Sequence, residues 1–208
     1  MSGLPESVCL ILQTNLKSHT NNFILNELDF GMADNTLQWS PDFALKWSDF
    51  QAESNPAVFE DSHSVIIYRF TWTVNSEKID DQIVFLIEDI RLFAEFNPLL
   101  SWVRLSAATD LLLHHEQGNF DLAELIKNEN MFKLQEQFNG KYFPTRGKNE
   151  EQRRQFAKED SGKMINAEVE KLQQLYDEKS LQYHKETNYG VDTKRQFEYD
   201  LTFKQLRQ

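Results

Sequence analysis

The sequence predicts an α+β fold in which strands come first and helices follow, and three observations carry that expectation. Apolar and polar residues alternate through residues 66–74 and again through 90–96, the period of a sheet with one face in the core. After Pro98 the apolar spacing changes to steps of three and four, the period of a helix. The chain has 208 residues, 40% of them hydrophobic, with 16 Phe and 4 Trp, which is ample for a core.

In chain order, an N-terminal strand-rich segment is expected over residues 1–40, with 23–30 as a strand candidate. A second region follows over 41–208, with its sheet over 41–97. Leu45 to Phe50 is a short strand candidate there. Ile66, Tyr68, Phe70, Trp72 and Val74 form the clearest inward face. A turn at Asn75-Ser76-Glu77-Lys78 leads to a second apolar stretch, Ile83 to Ile87. Ile90, Leu92, Ala94 and Phe96 give a further half-buried strand, which Asn97-Pro98 ends.

Leu105, Ala108, Leu112, His115, Asn119, Leu122 and Ile126 line one stripe of a helix expected from about Arg104 to about Phe138. Residues 139–147 read as a loop. C-terminal helices follow over about 149–206. The first carries a narrow seam of Val169, Leu172, Leu175 and Tyr176, breaks at Thr187-Asn188-Tyr189-Gly190, and gives way to a closing helix with Phe197, Leu201 and Phe203 as its inward candidates. The four Trp residues, 39, 47, 72 and 102, are expected in the core, and Glu150 to Arg154 on a solvated helix face.

Seven Gly and five Pro exclude collagen-like and low-complexity classes. Lys and Arg total 22 against 33 Asp and Glu, a net charge of −11. Residues 1–147 hold 10 basic and 21 acidic groups, while 148–208 hold 12 of each, so the whole excess lies in the first part. Such a balance repels phosphate backbones and anionic lipid, which argues against nucleic-acid and membrane partners. It permits a basic protein partner to be steered in. The single cysteine, Cys9, sits in an apolar run and reads as a core thiol. No basic residue precedes that run and nothing approaches the length of a membrane span, so a cytoplasmic location is expected.

One segment could carry chemistry: His115-Glu116-Gln117-Gly118-Asn119-Phe120-Asp121, with Glu124 following. A zinc-peptidase helix carries HExxH because residues four apart lie about 40° apart around the axis, so two imidazoles reach one metal while the Glu polarises its water. This chain has HExxN. His114 points about 100° away from His115 and reads as a surface residue.

These residues resemble a bacterial family of zincin-like proteins of uncharacterised function, thought to be zinc-dependent peptidases, whose helix reads approximately HEQGHFDxxE. Leu45-Lys46-Trp47-Ser48-Asp49-Phe50 is similar to the family's WxDF element, and Phe96 through Ser101-Trp102-Val103 to its strand before the helix. Tyr183-His184-Lys185-Glu186-Thr187-Asn188-Tyr189-Gly190 resembles its YDxETxHG segment. The resemblance covers about residues 40–206. It implies a zincin-like fold, an antiparallel sheet packed on the motif helix and C-terminal helices.

It also implies metal-ligand positions at His115, Asn119 and Tyr189, with Glu116 as general base. Two of these positions are substituted. An amide oxygen is a poor zinc ligand, and a phenol, with a reference pKa of about 10, must lose its proton to bind well. Without the metal, Glu116 has no activated water from which to take a proton.

The expectation is therefore a degenerate zincin, catalytically inactive and without a cofactor, that binds a protein or peptide in the remodelled cleft, with Asp89 to Phe96 as the edge strand to which a peptide adds. The alternative is an active zinc metallopeptidase with unusual ligands: His115 with Asn119, Tyr189 or His184 as replacement, and Glu116 as base. A third reading is an acidic protein that neutralises a basic partner. Asp121 and Glu124 are expected in solvated or capping roles in preference to supporting a metal ligand.

Overall fold

The computed structural model describes residues 8–11, 35–79 and 81–208, with backbone alone for 8–11 and 77. The expected strand at 23–30, most of the segment 1–40 and the packing of Cys9 lie outside the described residues. Ten elements organise the rest: strands β1 (Val8–Ile11), β2 (Leu37–Gln38), β3 (Ser62–His63), β4 (Ile66–Ile79), β5 (Gln82–Phe96) and β6 (Trp102–Val103), helix α1 (Asp110–Phe138), strand β7 (Lys141–Pro144), and helices α2 (Glu150–Thr187) and α3 (Thr193–Phe203). The fold is α+β. One sheet has the order β1-β4-β5-β2, with β7 also on β5, and β3 pairs with β6 in a separate antiparallel ribbon. No helix among the described residues is long and apolar enough to cross a membrane.

The described residues group into two compact units, each assembled from separated stretches. One holds 8–11, Arg69–Leu92 and Asn130–Glu170; the other holds 35–68, Phe93–Glu129 and Lys171–Gln208.

In the first unit the sheet buries Phe70, Trp72 and Val74 from β4 and Phe85, Ile87, Ile90 and Leu92 from β5. The same unit buries Leu134 and Phe138 of α1 and Ile165 and Val169 of α2. The alternation in β4 matches the sequence, but the strand continues through 75–78, where a turn was expected, and the chain reverses at Asp81 with φ 66°. The two stretches expected as separate strands, 83–87 and 90–96, are one strand. Burial falls on odd positions up to Ile87 and on even positions from Ile90. The change of face occurs at Asp89, whose φ of 52° inserts one extra residue as a bulge does. The loop expected over 139–147 contains β7, paired in register from Val84↔Pro144 to Ile87↔Lys141, with Phe85 and Phe143 stacked at 5.5 Å.

In the second unit α1 occupies the centre. The helix starts at Asp110, after a 3-10 turn at Leu105–Ala107, and not at 104; Leu105 points into solvent. Every residue from Gly118 to Glu124 is buried, so this stretch has no solvent face where a single stripe was expected. Phe120 packs near Phe43 and Phe96, and Tyr68 donates to the Ala123 carbonyl at 2.7 Å.

The strand expected at 45–50 is an extended segment closing in a 3-10 turn, Trp47–Asp49, because Leu45 N–H is drawn to the Gln117 side chain (2.8 Å) and so leaves no strand ladder. On α3 the inward residues are Gln196 and Phe203, while Phe197 and Leu201 are exposed. That face is set by a polar partner for Gln196, which apolar periodicity does not register. Trp39, Trp72 and Trp102 are buried and Trp47 half-buried. Glu150 and Arg154 lie on an exposed face, paired at 2.6 Å.

Candidate functional site

The second unit gathers one polar cluster around α1, and each component is held by local backbone chemistry. His115 and Glu116 come from α1, and Ser180, Tyr183, His184 and Thr187 from the last two turns of α2. That helix ends in three successive left-handed residues, Asn188 (φ 46°), Tyr189 (φ 54°) and Gly190 (φ 83°), which close onto its free carbonyls: Tyr189 N–H to His184 O at 3.1 Å and Asp192 N–H to Thr187 O at 2.8 Å. A side chain at Gly190 would place its Cβ 2.9 Å from the His115 Cβ and 3.3 Å from the Leu111 carbonyl, so glycine is needed both for φ and for the close approach to α1.

His115 is fully buried, its ring stacked on Tyr183 at 4.5 Å and 6°. Its Nε2 lies 2.8 Å from His184 Nδ1, and its Nδ1 lies 3.2 Å from both the Gln196 carbonyl oxygen and the Thr187 hydroxyl. His184 Nε2 lies 3.1 Å from Ser180 Oγ, which is 2.8 Å from the Asn119 carboxamide. Burial lowers the His115 pKa to about 3, with the neighbouring His184 adding to the effect. Burial also lowers His184 to about 4, with His63 contributing. Both rings are therefore neutral at pH 7, and each has one donor and one acceptor nitrogen.

The partners fix the tautomers. Gln196 Oε1 can only accept, so His115 carries its proton on Nδ1. Its Nε2 then accepts from His184 Nδ1–H, which leaves His184 Nε2 as an acceptor facing the Ser180 hydroxyl. The Ser180 hydroxyl stands between two acceptors, His184 Nε2 at 3.1 Å and the Asn119 carbonyl oxygen, to which it donates at 2.8 Å. Ser180, His184, His115 and Gln196 thus form one directed chain of hydrogen bonds, with the Asn119 carbonyl oxygen as a second acceptor beside Ser180.

Glu116 is 1% exposed. Ser62 donates to one carboxylate oxygen and Ser64 to the other. Burial raises its pKa, and the two serine hydroxyls oppose that rise. Tyr189 is partly exposed and lies flat on His184 at 5.2 Å and 16°, with its ring 6.0 Å from that of His115.

The four predicted ligand positions therefore fall in one neighbourhood, but the donor set does not fit zinc as it stands. Two nitrogens on a tetrahedral zinc at 2.0–2.1 Å each lie about 3.3 Å apart, so neighbouring ligands cannot be hydrogen-bonded to each other. The His115 and His184 nitrogens share a proton at 2.8 Å. Asn119 is engaged with Ser180, and no three His, Cys, Asp or Glu side chains among the described residues form a metal-binding group.

Other expectations are corrected. Asp121 and Glu124 are buried, where solvated or capping roles were expected. Asp121 accepts from Trp39 Nε1 (2.7 Å), Gln117 Nε2 (2.9 Å) and Arg207 Nη2 (2.5 Å), and Glu124 pairs with Lys127 at 2.6 Å. The edge expected at Asp89 to Phe96 is covered at its C-terminal end, residues 94–96. β5 has β4 on one side, while on the other β2 pairs at Phe96 and Glu95 and the Trp39 N–H donates to Ala94 O. His114 is half-exposed and pairs with Asp200 at 2.9 Å, as its direction from the helix axis implied.

Sequence reasoning missed Ser62, Ser64, Ser180 and Gln196. Three had a signal: Ser180 stands one turn before His184 on the same helix face, and Ser62 and Ser64 share one face of an extended segment. Gln196 had none. Compared with known proteins, the chain matches no family model, no curated protein and no solved structure.

Proposed function

We propose that this chain is a degenerate zincin-like protein, catalytically inactive, that binds a protein or peptide partner through the remodelled cleft beside α1. One observation carries the reading: the groups a zinc peptidase needs free are already engaged with each other. His184 takes the His115 Nε2 lone pair, and Ser62 and Ser64 take both oxygens of Glu116. A general base must reach the proton it abstracts, and here its oxygens already serve as acceptors within the protein. The net charge of −11 favours a basic partner.

A second reading is an active zinc peptidase with His115 and His184 as its two imidazoles and Glu116 as base. It is favoured by the meeting of the two rings, since a rotation of either ring would turn the shared hydrogen bond into a pair of open nitrogens.

The deciding experiment is elemental analysis of protein purified without chelator or nickel resin, alongside a peptide-library cleavage assay. The expected result is far less than one zinc per chain and no metal-dependent cleavage. Stoichiometric zinc, with cleavage that Glu116→Gln abolishes while the circular dichroism stays unchanged, would establish the second reading instead.

A further inference from the structure

Away from the cleft, the second unit exposes apolar side chains on two joined loops. Phe59 is 100% exposed, Leu105 91% and Leu100 51%. Single exposed apolar residues are ordinary, but several on one fastened support mark an interaction surface. The loops at 51–61 and 97–107 are tied by three backbone bonds: Gln51 N–H to Pro98 O (3.0 Å), Ala52 N–H to Ser101 O (2.9 Å) and Arg104 N–H to Asp61 O (2.8 Å).

Arg104 completes the support. Its guanidinium donates to the carbonyls of Asn55 (3.3 Å) and Val58 and lies 6.0 Å from the Trp102 ring. Phe59 stands directly after one of these gripped carbonyls, so the backbone that carries its exposed ring is held by bonds from a charged donor.

The charge of this surface is mainly acidic, since its one cation, Arg104, is taken up by the loop carbonyls and by Asp61 at 3.7 Å. Between Lys46 and Arg69 the chain carries Asp49, Glu53, Glu60 and Asp61 and no Lys or Arg. An anionic lipid surface is repelled by such a rim, and a second copy of the chain would bring the same acids against it. A partner with apolar anchors inside a basic rim satisfies both parts of the surface.

We infer that loops 51–61 and 97–107 form a docking platform for a protein that presents a basic amphipathic helix, with Phe59 and Leu105 as the apolar anchors and Glu53 and Glu60 on the acidic rim. The platform does not depend on the cleft, and either proposal can fail alone.

The test is fluorescence anisotropy with a labelled synthetic helix of Leu and Lys, and with a Leu and Glu helix of the same pattern. The full chain should bind the Leu/Lys helix about tenfold or more tighter than the Leu/Glu helix. Phe59→Ser combined with Leu105→Ser should weaken that binding by about tenfold or more, as expected when anchors are lost. Both residues are solvent-exposed, so the circular dichroism should not change. Glu53→Lys with Glu60→Lys should reverse the preference. Four results would overturn the inference: no saturable binding of either helix; equal binding by the serine variant; self-association of the chain that the serine variant abolishes; or binding to phosphatidylcholine vesicles that the serine variant abolishes.

Discussion

The two units bury different chemistry. Among the described residues the first buries a single polar side chain, Ser161, within an apolar sheet-and-helix core. The second buries Ser62, Ser101, His115, Glu116, Asn119, Asp121, Glu124, Ser180, Thr187 and Gln196. A buried polar group is tolerated only when its partner is in place, so in the second unit the position of each residue depends on several others. Apolar packing tolerates small errors better than a directed chain of hydrogen bonds does. The second unit should therefore respond far more strongly to pH and to single-atom substitutions than the first.

The largest expected effect is acid destabilisation through the histidine pair. The folded pKa values of His115 and His184, about 3 and about 4, lie below the ordinary 6.5 of the unfolded chain. Their stabilisation is therefore present above pH 6.5 and is lost as pH falls toward those values, because the unfolded state binds protons that the native state refuses. Each histidine contributes a slope of about 1.4 kcal/mol per pH unit.

Glu116 acts in the opposite sense. Burial raises its folded pKa, so its contribution is present below the unfolded carboxyl pKa and is lost as pH rises through the folded value. Two histidines outweigh one glutamate. Urea unfolding of the wild type should lose stability between pH 7 and pH 5, and Glu116→Gln, with the opposing group removed, should lose more, up to about 4 kcal/mol from the two histidines. Equal profiles for the two proteins would show that Glu116 is solvated; a flat wild-type profile would show the same of the imidazoles.

Next in size is Gly118→Ala. In a helix interior this change normally stabilises by about 1 kcal/mol. Here the new Cβ would lie 2.2 Å from the Tyr183 hydroxyl oxygen and 3.0 Å from its ring carbon. Tyr183 has no room to retreat, being fully buried, stacked on His115 and edge-on to Tyr199 at 4.8 Å. Overpacking of this kind costs about 1–3 kcal/mol, and displacing the ring also breaks its bonds to Gln196 and the His115 carbonyl. The net result should be a loss of about 3 kcal/mol in the urea midpoint analysis. A gain of about 1 kcal/mol would mean the ring shifts freely.

The same contrast explains what could be read from the sequence. Ile66, Tyr68, Phe70, Trp72 and Val74 were legible because a half-buried strand writes its geometry as a period of two. That rule failed at Asp89, where one left-handed residue moves the inward set from odd to even positions and makes one strand look like two. At the site, His115, Glu116 and Asn119 stood out because helix spacing links them. Phe197 and Leu201 misled because apolar periodicity points them inward, whereas α3 is oriented by Gln196, which besides Asp200 one turn on has its cluster partners 13 and 81 positions away at Tyr183 and His115. Partners at that separation leave no local pattern.

Two serines bring the comparison to its smallest and sharpest form. Ser161 in the first unit accepts from Trp72 Nε1 at 2.8 Å, and Ser180 in the second bridges Asn119 and His184. Ser161→Ala removes the acceptor for Trp72 Nε1 and the bond its hydroxyl donates to Lys158 O at 3.1 Å, and should cost about 1 kcal/mol, with the imidazole resonances of His115 and His184 unmoved in NMR spectra. Ser180→Ala removes the donor that faces His184 Nε2 and reaches the Asn119 carbonyl oxygen. It should cost about 2 kcal/mol and shift both imidazole spectra, because the pair shares one directed chain. If Ser180→Ala moves only His184, the two rings are not coupled as the 2.8 Å contact implies. If Ser161→Ala costs the more, polar satisfaction matters no less in the first unit than in the second, and the distinction between them is lost.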